Sequence, residues 1–344
     1  MRRFWVCLAL ITAALFACAA TVWARGQGTR PSRSSQRHHR ARAQHAKCQK
    51  HKKHQKCQKH HKHRKKHKRR RQNGRRTPVV PAPVPTPGLP TPSSGTIQHV
   101  VWIMMENNDY SNMYGPQPYE TQVANTYGLA EDYYGIGHHS ADNYIAATSG
   151  ISWNSCLGGD GSASSCPQSQ DNIFHQLGAG NAVNYVESGN TDSNHNSSEY
   201  YTDLSGGNYE QTLPSAPFSS SAFNPKFVFI SPNRTDDDHD TSASTGDTWL
   251  SSEVPAIMAT PQYQSGRMAI FITFDESNVN DTEGATSPPN NHVYTAVISP
   301  YTHGVKATTE YTHYSLLRTT EELLGLPLLG NAATANSMVA NFGL

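Results

Sequence analysis

The sequence predicts an α/β fold, a sheet covered by helices, preceded by a disordered basic tail. Three observations point there. First, "HVVWIMM" from His99, "KFVFIS" from Lys226 and "MAIFITF" from Met268 are continuous apolar runs of strand length. Strands buried on both faces read this way, as in a parallel sheet, whereas a sheet with one wet face alternates. Second, helical stretches alternate with these strands, the pattern of an α/β sandwich. Third, the charge is partitioned. Met1 to Thr77 holds 24 Lys/Arg and no acid, while the rest holds five Lys/Arg and all 26 acids, a formal charge of −21. The net charge of +3 describes neither part.

From the N-terminus, Arg2 and Arg3 precede an apolar run and a small-residue cleavage pattern at Val22-Trp23-Ala24, so residues 1–24 read as an export signal. A retained membrane anchor or a lipid-modified Cys18 are the alternatives. Residues 25–77 carry 22 Lys/Arg and nine His, with "KCQKH" repeated at Lys47 and Lys56. Such a segment cannot bury enough apolar surface to offset its ordering entropy. Residues 78–95 are proline-rich and form a semi-rigid spacer. The globular part is expected over residues 96–344, long enough for one core. A fourth, more polar strand is expected at "VYTAVIS" from Val293. Helices are expected over "SADNYIAATSG", over "TGDTWLSSEVPAIMA", where Pro255 threatens a kink, and over "TTEYTHYSLLRTTEELLG" with its closing glycine. The Ser/Asn/Gly-rich stretch 152–221 has no clear pattern and reads as an insertion over the site.

The main strands run into acids at their C-terminal ends: Glu106-Asn107, then "PNRTDDDHD" with Asp237 and His239, then Asp275-Glu276. Ligands of open parallel sheets bind beyond such ends. Buried carboxylates are costly unless paired or metal-bound, and five Lys/Arg cannot pair 26 acids. Glu106, Asn107, Asp275 and Glu276 therefore form a candidate set for a divalent metal, with Ca, Mg, Mn, Zn and Fe all open. Ser140, placed at the N-cap of its helix, is a candidate nucleophile there. Cys156 and Cys166 flank a short Gly/Ser loop that an export-compartment disulfide would close. His99, His175, His195 and His303 read as structural histidines, and Met104 and Met105 as core.

Taken in order, "HVVWIMMENNDYSNMYG", "HHSADNYIAATSG", "SPNRTDDDHD…TGDTWL", "FITFDES", "NNHVYTAVISP" and "YTHYSLLRTTEELLGLP" resemble the secreted phosphoesterase family. That family holds bacterial acid phosphatases and phosphatidylcholine-type phospholipases C, within the alkaline phosphatase superfamily. The resemblance covers residues 97–330 and implies a three-layer α/β/α sandwich and metal-dependent phosphoryl transfer. It makes Glu106-Asn107 and Asp275-Glu276 metal ligands and Ser140 the nucleophile, here in His138-His139-Ser140-Ala141-Asp142-Asn143-Tyr144, where two family prolines are replaced by His139 and Asp142. It assigns Asn143, Asp237, Asp247 and His292 to support or phosphate binding. His138, His239 and His313 would stabilise phosphoryl oxygens or protonate the leaving alcohol.

The expected function is a secreted or envelope-associated phosphomonoesterase working through a phosphoserine. The rivals are a phospholipase C cleaving diesters and, from another class, a non-catalytic polyanion- or metal-binding surface protein. The expected substrate is a phosphate ester. The basic tail would hold anionic wall polymers or lipid headgroups, intracellular nucleic acid is not an expected partner, and no membrane span is expected after signal cleavage. Cys48 and Cys57 with His51 and His54 do not match a standard metal spacing.

Overall fold

The structure, a computed structural model, describes residues 80, 95–151, 161–190, 193–205, 207–278 and 291–344. The expected export signal, the basic segment, all the spacer except Val80 and Gly95, and Cys156 lie outside the described residues. Cys166 is disulfide-bonded.

The strands are β1 (His99–Met105), β2 (Gly128–Ala130), β3 (Tyr133–Tyr134), β4 (Ala182–Val186), β5 (Glu210–Thr212), β6 (Phe227–Ser231), β7 (Met268–Phe274), β8 (Thr295–Ile298), β9 (Val305–Ala307) and β10 (Tyr311–Thr312). Eight form one sheet in the order β5-β4-β6-β1-β7-β8-β2-β9, while β3 and β10 pair separately. The three apolar runs lie side by side at its centre. β1 pairs in parallel with β6 (Val100↔Phe227) and with β7 (His99↔Met268). Val100 to Met105 are fully buried, so both faces of β1 are covered.

The sheet is mixed rather than parallel throughout. β8 runs antiparallel to both β7 and β2. A parallel return needs a crossover, usually a helix, and the described residues between Phe274 and Thr295 contain none. The 152–221 stretch also differs from the expected insertion. Ala182–Val186 is a fully buried strand of the main sheet, parallel to β6.

Five helices matter for the site: α1 (Pro118–Thr126), α2 (Ser140–Ser149), α3 (Ile173–Leu177), α4 (Ala243–Met258) and α5 (His313–Leu324). α2 packs on α3 and α5, and α1 packs on α4. Trp102 joins β1 to α5 through its Nε1–H on Thr320 Oγ1 at 3.0 Å. It also meets Phe227 edge-on with ring centroids 4.8 Å apart, a favoured aromatic geometry. α4 runs through Pro255, which sits in its last turn. α2 and α5 end at Gly150 (φ +71°) and Gly325 (φ +67°), left-handed positions that suit glycine. Among the described residues no helix is long and apolar enough to cross a membrane.

A net −21 domain must hold some acids inside. Glu321, on α5, is fully buried, with Oε1 accepting the Leu329 N–H at 3.0 Å and Oε2 lacking a hydrogen-bond partner. Burial, reinforced by the Glu322 and Asp171 charges, pushes its carboxyl up to about 8. Glu253 is pushed up to about 7, again by burial first. Because the folded values are raised, this stability is fully present below the ordinary glutamate range near pH 4.5 and is lost as pH rises through about 8. The melting temperature is therefore expected to fall between pH 5 and pH 8, and Glu321→Gln to flatten part of that fall. Parallel melting curves for the two proteins would contradict this account.

Candidate active site

The site forms where the ends of β1, β6 and β7 meet the start of α2. β1 delivers Glu106, β7 delivers Asp275, and the turn after β6 delivers Asp237 and His239. Glu106 and Asp275 are fully buried and Asp237 nearly so. The Glu106 N–H donates to the Asp237 carbonyl at 2.9 Å, which locks the two strand ends together. Asn107 takes a left-handed backbone (φ +50°), a conformation that asparagine tolerates. Its N–H then reaches Asp275 Oδ1 at 3.1 Å, and the Glu276 N–H reaches the same oxygen at 2.7 Å. The four residues expected to bind metal are thus stitched together by backbone donors.

Ser140 Oγ–H donates to Glu106 Oε2 at 3.1 Å, and Tyr144 OH, one turn along α2, donates to Oε1 at 2.5 Å. Ser140 is the first helical residue, not the N-cap: His139 occupies that position in extended backbone (φ 164°). The correction has a simple cause, since the serine hydroxyl is turned to Glu106 rather than to its own helix. The approach is held instead by Asn143. Its Oδ1 accepts the Ile136 and Gly137 N–H groups at 2.7 and 3.1 Å, and its Nδ2 donates to the Gly137 carbonyl at 2.9 Å. Asn291, not singled out from the sequence, closes the same loop. It donates to the Gly137 carbonyl at 2.8 Å and accepts the Ser277 N–H at 2.7 Å.

His195 was expected to be structural, and the structure puts it in the site. Its Nε2 lies 3.3 Å from Glu106 Oε2 and its Nδ1 lies 3.7 Å from Asp237 Oδ2. Its ring stacks on Tyr144, with centroids 5.7 Å apart. Glu106, His195 and His239 offer ligand atoms within 4.8 Å of one another, a spacing that one metal ion could bridge. His138 also approaches the expected set, with Nδ1 3.3 Å from Glu276 Oε2.

Three other expected residues have different duties. Asp247 lies on α4, and its Oδ1 accepts the Tyr119 and Glu120 N–H groups, each at 2.9 Å. It caps the free N–H groups at the start of α1 rather than meeting phosphate. The His292 ring is stacked between Tyr110 (4.3 Å) and Tyr134 (5.0 Å), and its Nε2–H donates to the Glu131 carbonyl at 2.7 Å. That makes it a wall residue. His313 is fully buried; its Nε2–H donates to the Asp275 carbonyl at 2.6 Å and its Nδ1 accepts from Tyr133 OH at 3.0 Å. Burial pushes it down to about 4. With both nitrogens engaged and the ring neutral, His313 fixes the end of β7. His99 is structural as expected, held by the Pro225 carbonyl at 2.9 Å. His175 pairs with Asp171 at 2.8 Å on the surface.

Burial and mutual repulsion raise the carboxyls of the cluster. Burial, then the Asp275 and Asp237 charges, pushes Glu106 well above the usual carboxylate range. Burial also pushes Asp237 up to about 8 and Asp275 up to about 6. Asp275 Oδ2 is buried and has no hydrogen-bond partner. Carboxylates that raise one another in this way are a donor set for a divalent cation.

A family model described as the phosphoesterase family matches residues 116–327. The chain belongs to the phosphoesterase family. The phosphoesterase match includes Ser140, Asp275 and His313 but begins after Glu106, so the structure is what ties Glu106 to the others. An acid phosphatase of Aspergillus fumigatus is 30% identical over 124 residues, which is 34% of this chain and 26% of that protein. The chain thus aligns with about a quarter of the length of that relative. A phosphatidylinositol-3-phosphatase of Mycobacterium tuberculosis is 25% identical over 267 residues, 73% of this phosphoesterase chain and 85% of the relative. Among solved structures, an alkaline phosphatase superfamily protein from Vibrio parahaemolyticus gives a TM-score of 0.51 at 10% identity, covering 72% of each chain. A lipoteichoic acid synthase from Listeria monocytogenes gives 0.52 at 9%, covering 72% of this chain and 80% of that one. At such identities the likeness concerns the fold alone. It bears out the alkaline-phosphatase type of α/β architecture.

Proposed function

We propose that this chain is an exported, metal-dependent phosphoesterase that hydrolyses phosphate monoesters through a phosphoserine. The observation that carries the reading is Ser140 Oγ, held 3.1 Å from the buried Glu106 at the first turn of α2. The same first turn of α2 presents its free N–H groups and positive end, where a phosphoryl group binds well. Glu106, Asn107, Asp275 and Glu276 would hold the cation, with His195 and His239 supplying nitrogen donors that favour Zn or Fe over Ca, Mg or Mn. When bound, such an ion favours the serine alkoxide and polarises a phosphoryl oxygen.

Ser140 Oγ passes its proton to Glu106 Oε2, 3.1 Å away, and forms the bond to phosphorus as the bond to the ester oxygen breaks; the same proton returns to Oγ when the phosphoserine is hydrolysed. The leaving alcohol takes a proton from His138, the site histidine not assigned to the cation. Water then attacks phosphorus, the bond to Oγ breaks, and phosphate leaves as the serine hydroxyl is restored. Asn143 and Asn291 keep the loop before Ser140 in place, and His313 does the same for Asp275. The named activities of the fungal acid phosphatases and the mycobacterial phosphatase support the monoester class. The basic segment would tether the enzyme to anionic polymers or headgroups.

The test compares p-nitrophenyl phosphate with bis(p-nitrophenyl) phosphate, before and after chelation and metal re-addition. Release from the monoester that chelation abolishes and metal restores is expected. Preference for the diester would move the chain to the phospholipase C class. No release with any of the candidate metals would leave the non-catalytic surface protein as the reading.

A further inference from the structure

Away from the candidate active site, one surface group holds metal-ligating atoms close together. Asp171, His175 and Asp203 offer two carboxylate oxygens and an imidazole nitrogen, all within 4.8 Å of one another. His175 Nδ1 lies 2.8 Å from Asp171 Oδ1 and 3.5 Å from Asp203 Oδ2. Ligands of a tetrahedral zinc, each about 2.0–2.1 Å from the ion, stand about 3.4 Å apart. The two measured gaps straddle that value, so a small turn of these exposed side chains admits an ion. The arginine ion pairs among the described residues, Arg234–Asp240 and Arg318–Glu322, involve neither aspartate. With a formal charge of −21 outside the basic segment, the two carboxylates draw cations from solution.

The backbone holds the three residues in place. Asp171 precedes α3, and His175 lies one turn on within it. Asp203 comes from a separate 3₁₀ turn, Thr202–Leu204. The Gln168 N–H donates to the Tyr200 carbonyl at 2.7 Å, and the Thr202 N–H donates to the Gln168 carbonyl at 2.9 Å. These bonds fix the second segment against the first. Asn172 serves both sides: its Oδ1 accepts the His175 N–H at 2.9 Å, and its Nδ2 donates to Asp203 Oδ1 at 3.2 Å. Outer hydrogen bonds of this kind orient a metal-ligating carboxylate. The turn that holds Asp203 ends a run of 3₁₀ turns that also carries His195 into the active site. That run is mostly Ser, Asn and other polar residues, so it has little apolar surface of its own to fix it.

We propose that Asp171, His175 and Asp203 bind a zinc-class divalent cation, separate from the active-site donor set, with water in the fourth position. The ion takes the lone pair of Nδ1 and displaces to solvent the proton that Nδ1 shares with Asp171, while Nε2 keeps a proton. The nitrogen donor favours zinc over calcium or magnesium. Once bound, the ion staples α3 to the run that carries His195. The proposal does not rest on the monoesterase reading.

The test is diethyl pyrocarbonate modification of the full chain at neutral pH, with the peptide containing His175 followed by mass spectrometry. The reagent acylates a free imidazole nitrogen, and zinc on Nδ1 with a proton on Nε2 leaves neither nitrogen open. Because one peptide is read, zinc held elsewhere in the chain does not enter the result. Zinc at about ten times the dissociation constant is expected to slow modification of His175 about tenfold, by mass action. Magnesium should not protect it. Asp203→Asn and, as a second variant, Asp171→Asn should each lose most of the protection, with circular dichroism like that of wild type. No protection of wild type at millimolar zinc overturns the proposal and leaves an ion pair. Equal protection by magnesium, or full protection in both folded variants, overturns it as well, because His175 is then not part of this three-ligand site.

Discussion

Ser140→Ala is expected to lower kcat for phosphate release by roughly three to six orders of magnitude, while the fold is kept. The side chain lost is small, and the Glu106 carboxylate it bonds keeps Tyr144 and His195 as neighbours. Circular dichroism and melting should therefore match wild type to within a few degrees. The variant should still bind inorganic phosphate, because the helix N–H groups and the other site residues remain. Rapid-quench experiments with radiolabelled substrate provide a second readout: wild type should carry acid-stable label on Ser140, and the variant should carry none. An alanine protein that turns over p-nitrophenyl phosphate like its parent would remove the nucleophile from the mechanism.

The second large effect runs in two directions at once. Asp275→Asn should abolish most activity, by about 100-fold or more, and weaken metal-induced thermal stabilisation, because it deletes a carboxylate from the cation's donor set. Without metal, the same substitution should stabilise the protein by about 1 kcal/mol or more, because it relieves repulsion between buried acids. The asparagine carbonyl can still accept the Asn107 and Glu276 N–H groups now held by Asp275 Oδ1. Melting curves taken with chelator and with added Zn would show the crossover: variant above wild type in chelator, below it in metal. A variant less stable in both conditions would mean that Asp275 serves the fold rather than a cation.

Much of this site was legible in the sequence for a physical reason. A strand buried on both faces must be apolar throughout, so the acids that end β1 and β7 stand out. Glu106, Asp275 and His239 were found that way, Ser140 by its place at the start of a helix, and the resemblance gave them roles. The misses also have causes. β5 is Glu210-Gln211-Thr212, three exposed residues of an edge strand with no apolar signal. β8 is apolar whichever way it runs, so its antiparallel direction is invisible in composition. His195 lies in short 3₁₀ turns among Ser and Asn, where no periodicity survives. The available signal was "AVNYV", a run of strand length ending at Glu187, which places the residues after it on the same rim as the other acids. For Asp247 and His292 the motif left open support or phosphate binding, because a motif position says nothing about which way a side chain turns.

Glu106 holds two successive turns of α2 through one carboxylate, Ser140 on one oxygen and Tyr144 on the other. Residues four apart share a helix face, and each residue advances the chain by about 100° around the axis. The site is therefore encoded as a rotational phase as well as a position. Lengthening the exposed loops upstream of residue 135 leaves that phase untouched. Inserting one residue between 140 and 144 would turn the tyrosine away from its oxygen even with every side chain conserved. Evolution along this chain is thus free to remodel what surrounds the site by gaining and losing residues in loops, but within this first turn it can proceed only by substitution.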